Sequence, residues 1–220
     1  MENRSAVFRE SLYAPGMEEI DTRQAIKDTA LELLVRRGYR GTSFGDISTA
    51  LSTTRANIHY HFGNKQALVE EVLDDYMRAT LGALRSVWDA EGIDLAGQIA
   101  AMIGYSRARF MHFNPTGQEG QAWSLISRLR QDADLLGPRG RAMLDHFGAE
   151  LSALFSEALS AAAKRGELRA DIVPADAALL FAAIADNAAP ITLAEGGFER
   201  LERAYDALGR MIGAGRADRN

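Results

Sequence analysis

The chain has 220 residues, 47% of them hydrophobic and 25% charged, no cysteine, and a net charge of −5. The lack of cysteine excludes disulfides and thiolate metal sites and fits a reducing compartment. No apolar run approaches the ~20 residues of a membrane span, and Arg4 and Arg9 lead into no apolar stretch, so neither a span nor a signal peptide is expected and the chain is placed in the cytoplasm.

Residues 1–20 show no clear period, contain Pro15-Gly16, and read as a mobile arm. A first helix is expected from Asp21, with Gln24 three residues on as in a capping box. Ile26, Ala30, Leu33 and Leu34 share its buried face, and Gly38 ends it after Arg36 and Arg37. A second helix starts at Thr42 or Ser43 and buries Phe44, Ile47, Ala50 and Leu51. Thr54 caps a third from Arg55, which buries Ile58 and Phe62. Asn64 caps a long fourth helix whose stripe is Val69, Val72, Leu73, Tyr76, Leu84 and Val87, ending near Gly92.

The third helix leads with Arg55, Asn57, His59 and Tyr60, which can donate to phosphates and reach base edges. A short capped helix tipped with such residues and braced from behind is how a protein reads the major groove. Charge is distributed to match: residues 21–65 carry a balance of +3 and residues 66–220 one of −6. Because screening confines phosphate attraction to ~8 Å at physiological salt, an acidic body does not oppose a locally basic DNA face.

Helices are expected downstream at Asp94–Phe113, within an aromatic-led segment Trp123–Leu136 that follows a loop at Thr116–Gly120, from Pro138 to Gly166, from Pro174, and at Phe198–Ile212. No segment alternates like a half-buried strand. The expected fold is all-α: a three-helix helix-turn-helix domain (21–66), joined by a long fourth helix to a helical ligand-binding and dimerisation domain (67–220). No Gly-rich phosphate loop, HExxH or G-x-S-x-G occurs, so no enzyme, cofactor or metal is expected. His112 and His146 lie on different helices without ligand spacing. The competing readings are a helical enzyme or carrier with an accidental helix-turn-helix look, and an architectural DNA binder without effector. The second leaves about 150 residues beyond what dimerisation alone requires.

With RRGYRGTS, DISTAL, NIHYHF and GNKQALVEEVL in this order, residues 21–73 resemble the DNA-binding domain of the tetracycline-repressor (TetR) family of transcriptional regulators. The resemblance implies a homodimeric repressor on double-stranded DNA, bound to a near-palindromic operator and released by a small-molecule effector. It places Arg55, Ala56 and Asn57 at base-reading positions, with Gly45 at another that lacks a side chain to read with. Thr42, Ser43, Thr54, His59, Tyr60 and Lys65 fall at phosphate-contact positions, His59 as a neutral donor, with helix N-terminal amides beside Thr42, Ser43 and Lys65. The turn position usually held by glycine is Ser52, and His59 stands where tyrosine is usual. The resemblance also puts a pocket after the fourth helix, for which Met102, Tyr105, Arg109, Phe113, Trp123, Ile126 and Phe147 are candidates. The segment Ala177–Leu193 is apolar nearly all round. With the last helix it reads either as monomer core alone or, as the resemblance favours, as a dimer seam through Phe181, Ala185, Ala189, Leu201, Tyr205 and Leu208. Asp186 and Asn187, which interrupt it, are left between cross-dimer bonds, ligand contacts and an exposed kink.

Overall fold

A computed structural model of the chain describes residues 18–90, 92–117 and 120–214. Ten α-helices follow in order: α1 (Glu18–Arg37), α2 (Phe44–Leu51), α3 (Arg55–Phe62), α4 (Lys65–Trp88), α5 (Leu95–Phe113), α6 (Leu125–Gln131), α7 (Pro138–Lys164), α8 (Pro174–Asp186), α9 (Ala188–Leu193) and α10 (Gly197–Ile212). Among the described residues the sole β feature is an isolated bridge between Leu168 and Gly213. The expected all-α fold is therefore observed. None of the described helices is long and apolar enough to cross a membrane.

The local signals act where they were read. Thr54, Asn64 and Asp94 cap α3, α4 and α5, each accepting the amide of the residue three ahead. Ser43 caps α2 in a reciprocal box with Asp46. Helix α1 departs from expectation: it already runs at Glu18, so Asp21 stands inside the first turn rather than at the cap. Residues 1–17 of the expected arm lie outside the described residues. On α2, Ala50 is exposed and Ser48 is buried in its place, because the short helix turns its 44, 47 and 48 edge to α1.

Ile26, Ala30, Leu34, Ile47, Ile58 and Leu68 close the N-terminal core, each essentially inaccessible. Fully burying each isoleucine or leucine among them stabilises by about 1.5–3 kcal/mol, yet three short helices make a small core. Ion pairs Arg23–Glu71 and Lys27–Asp75, both 2.5 Å, add α4 to it. Helix α4, about 36 Å long at ~1.5 Å per residue, then carries on into the second domain. There Trp88 meets Phe155 of α7 and Phe181 of α8 edge-on at 5.2 and 5.4 Å. One rigid rod thus belongs to both cores.

The C-terminal domain packs α7 along α8, with α10 crossing α5, α8 and α9. The long apolar segment is broken at Asn187, whose side-chain amide donates to the Ala183 carbonyl at 2.9 Å and separates α8 from α9. The break explains how so apolar a stretch is accommodated. It turns α8 against α7 and α9 against α10 within a single chain. As a result Phe181, Ala189, Leu201, Tyr205 and Leu208 lie in the monomer core, not on a free seam, and Ala185 is half-buried against a cavity. The expectation of these six as dimer residues is corrected accordingly.

Candidate DNA interface and effector cavity

Helices α2 and α3 meet through a turn in which Ser52 adopts φ 53° and ψ 39° and caps α2. It is the one non-glycine residue with positive φ among those described. Left-handed backbone costs an L-residue roughly 1–2 kcal/mol and glycine almost none. Ser52→Gly is thus expected to stabilise the protein by about 1 kcal/mol, read as a raised melting midpoint; an unchanged or lowered midpoint contradicts the strain.

Helix α3 presents Arg55, Ala56, His59 and Tyr60 to solvent, Tyr60 with 76% of its surface exposed. Asn57 is half-buried, and its amide donates to Thr53 Oγ1 at 3.1 Å. The Thr54 hydroxyl is engaged by the Asn57 amide N–H at 3.1 Å. Gly45 has a role the sequence did not disclose. The Arg55 guanidinium lies so close over it that a Cβ would stand 2.6 Å from Nη2. Gly45 therefore makes room for a candidate base-reading side chain instead of reading itself.

Several expected phosphate contacts are spent inside the chain. Thr42 is 3% exposed and its hydroxyl donates to the Gly38 carbonyl at 2.9 Å; folded this way it has no side-chain donor for phosphate. Both the hydroxyl and the amide of Ser43 donate to Asp46, the amide at 2.8 Å. These bonds hold the Asp46 carboxyl below its ordinary range. The N-terminus of α2 already holds an anion, which opposes a phosphate there. His59 takes the Gly63 carbonyl on Nδ1 at 2.8 Å and lies edge-on to Phe44. Neutral, it keeps its proton on Nδ1 and turns a lone pair outward at Nε2. It can donate to phosphate only as an imidazolium, which corrects the neutral-donor expectation. Lys65 is half-buried, its ammonium donating to the Tyr39 carbonyl and standing 4.1 Å from the Tyr39 ring centroid. Burial pushes its pKa down, and the charges of Asp132 and Asp46 oppose that shift. Its first task is tying the start of α4 to the α1–α2 loop.

In the C-terminal domain a cavity of about 50 Å³ opens between α4, α5, α6, α7 and α8. Met102, Tyr105, Arg109, Trp123, Ile126 and Phe147 line it, as expected from sequence. Phe113 does not: it is buried under Arg36 at the junction with α1. The polar wall also includes Tyr76, Thr80, Ser106 and Asp186. Trp123 is pinned, its indole N–H donating to Thr192 Oγ1 at 2.7 Å. Asp186 pairs through Oδ2 with Arg130 of α6, while its buried Oδ1 and the buried Thr80 hydroxyl have no partner. Arg109 lies 4.6 Å from the Tyr76 ring centroid and 5.8 Å from that of Tyr105. Burial works against its charge, but the two tyrosines more than offset this and hold its pKa above the ordinary value. His112 is bonded to Glu32 at 2.7 Å and His146 is exposed, and no cluster of metal-ligating side chains occurs among the described residues.

Helix α6 joins cavity to DNA-reading unit. Ile126 faces the cavity, Arg130 holds Asp186, and the Asp132 carboxylate after its last turn accepts the Tyr39 amide at 2.7 Å. Gly38, φ 73°, sits beneath that contact: a Cβ there would lie 2.4 Å from Asp132 Oδ2 and 2.9 Å from Arg128 Nε. Arg40–Asp134 and Glu32–His112 continue this seam along α1. Residue spacing gave no sign of it, since it joins positions some 90 apart in the chain.

Fold and site together have the arrangement of a helix-turn-helix DNA-binding transcriptional regulator with a second, helical domain. Residues 26–72 match the bacterial regulatory proteins of the tetR family. The chain is 25% identical over 168 residues to the transcriptional repressor KstR2 of Rhodococcus jostii, covering 76% of each. It is 40% identical over 55 residues to the uncharacterised regulator YvkB of Bacillus subtilis, covering 25% of this chain and 29% of that one. A TetR-family regulator from Agrobacterium tumefaciens has the same fold, with a TM-score of 0.78 and 21% identity, over 89% of this chain and 99% of that one. The family match thus lies in residues 26–72, the DNA-reading segment, while over the whole chain the likeness to solved structures is one of fold.

Proposed function

We propose that the chain is a homodimeric repressor that binds a near-palindromic operator in the cytoplasm and leaves it when a small molecule occupies the cavity. The observation that carries this reading is α6, which lines the cavity with Ile126, holds Asp186 of the cavity wall through Arg130, and meets the DNA-reading unit at Gly38 and Tyr39. A ligand that widens the cavity displaces α6, and with it α1 and the α2–α3 pair. Two recognition helices must sit about one DNA turn (~34 Å) apart to enter successive major grooves, so small rotations break the match. The Rhodococcus relative, named as a transcriptional repressor, supports the direction of control.

The domain boundary falls at the start of α4, with residues 21–66 reading DNA and 67–220 sensing and dimerising. Arg55, Ala56 and Asn57 read bases, and Tyr60, Thr54 and His59 contact the backbone. The outer face of α8 is the best-supported seam between copies: Leu179 and Leu180 are 68% and 49% exposed, beside exposed Ala183. Catalysis has no part in this reading.

Selection of bound sequences from a random duplex pool with purified protein tests it. An inverted repeat with half-sites about one helical turn apart is expected. Enrichment of a single half-site, or none from a folded protein, counts against it.

A further inference from the structure

We propose that the cavity takes an organic carboxylate with an apolar body, its carboxylate held by Arg109; this rests on the reading of the cavity as the effector site. Arg109 is the one cation among the lining residues, and the one lining anion, Asp186, is already paired with Arg130. The groups that act on Arg109 are the phenols of Tyr76 and Tyr105, neutral side chains, and no carboxylate is among them. A guanidinium taken out of water is retained where a counter-charge completes it. Two tyrosines, through their ring faces and hydroxyls, supply part of that but no counter-charge. A planar fork with parallel N–H donors matches one carboxylate bidentately.

Charge count narrows the class. A single unpaired cation fits one negative charge, whereas a phosphate dianion calls for a second cation that the wall lacks. A cationic ligand meets Arg109 with repulsion and finds Asp186 taken. The remaining lining is apolar or aromatic, with Met102, Trp123, Ile126, Phe147 and Leu151 around the space, which suits a hydrocarbon or aromatic body. The buried Oδ1 of Asp186 and the Thr80 hydroxyl stand without partners in the same wall. A hydroxyl on the ligand would satisfy Asp186 Oδ1 while Arg130 keeps Oδ2.

Calorimetric titration of the whole chain with a graded series of acids, from benzoate through 3-phenylpropanoate to decanoate, each paired with its primary amide, tests the proposal. At least one acid is expected to bind, with its amide at least tenfold weaker. Arg109→Met should reduce that acid to the level of its amide, and Arg109→Lys should restore part of the difference; circular dichroism confirms that both variants are folded. Equal binding of acid and amide overturns the proposal, as does undiminished acid binding by Arg109→Met. Failure of every acid to bind overturns it as well. Operator occupancy is followed separately. An acid that binds without releasing DNA leaves the carboxylate site standing and removes the effector reading, whereas operator binding with no acid bound removes the carboxylate site alone.

Discussion

An Arg55→Ala variant is expected to lose about 1–3 kcal/mol of preference at one base pair of each half-site, roughly 10–100-fold, while its affinity for random duplex changes far less. The reason lies in placement. Arg55 is the first residue of α3, exposed, on a helix fixed by the Thr54 cap. Its guanidinium rests over Gly45, where nothing larger than hydrogen fits without moving it. Parallel selections with the wild type and the variant read the effect directly. The wild-type motif should keep one G·C pair that the variant no longer enriches. Identical motifs from the two would show that Arg55 only anchors.

Gly38→Ala is expected to destabilise the protein by about 3 kcal/mol. A left-handed alanine accounts for roughly 1–2 kcal/mol. Displacing the Asp132 carboxylate from the Tyr39 amide adds about 1.5–3 kcal/mol for a charge-assisted bond. In a chain of this size that is a fall of roughly 6–12 °C in melting midpoint. Because the added methyl presses on the Asp132 side chain, the double variant Gly38→Ala, Asp132→Ala should be more stable than the two single effects summed. Strict additivity would mean that Gly38 matters for its own backbone alone.

The DNA-reading unit was legible because its determinants are local. Ser43, Thr54 and Asn64 each satisfy an amide three residues away, so helix starts could be read from neighbours in the chain. Most of the cavity wall followed from apolar residues on α5, α6 and α7. What could not be read depends on partners distant in sequence. Thr42 has the chemistry of a phosphate donor, yet its hydroxyl donates to the Gly38 carbonyl; Phe113 has the character of a pocket residue, yet it packs beneath Arg36 of α1. Residues 177–193 show the limit most clearly. A stretch apolar on every side does not say which side faces its own chain, and the core claimed Phe181 while Leu179 was left outside.

The cavity's size sets a condition on how the protein senses. About 50 Å³ is room for a few waters at ~10–15 Å³ each, not for a molecule with a hydrocarbon body. The occupied form must therefore be a wider, less populated state of the free protein, and observed affinity falls in proportion to its rarity. Each ~1.4 kcal/mol of opening cost raises the concentration that triggers a response about tenfold. The tightness of Phe147, Trp123 and Leu151 thus works as a threshold dial. Loosening that wall should lower the trigger concentration while leaving the Arg109 contact in place, so sensitivity and charge recognition can be changed independently.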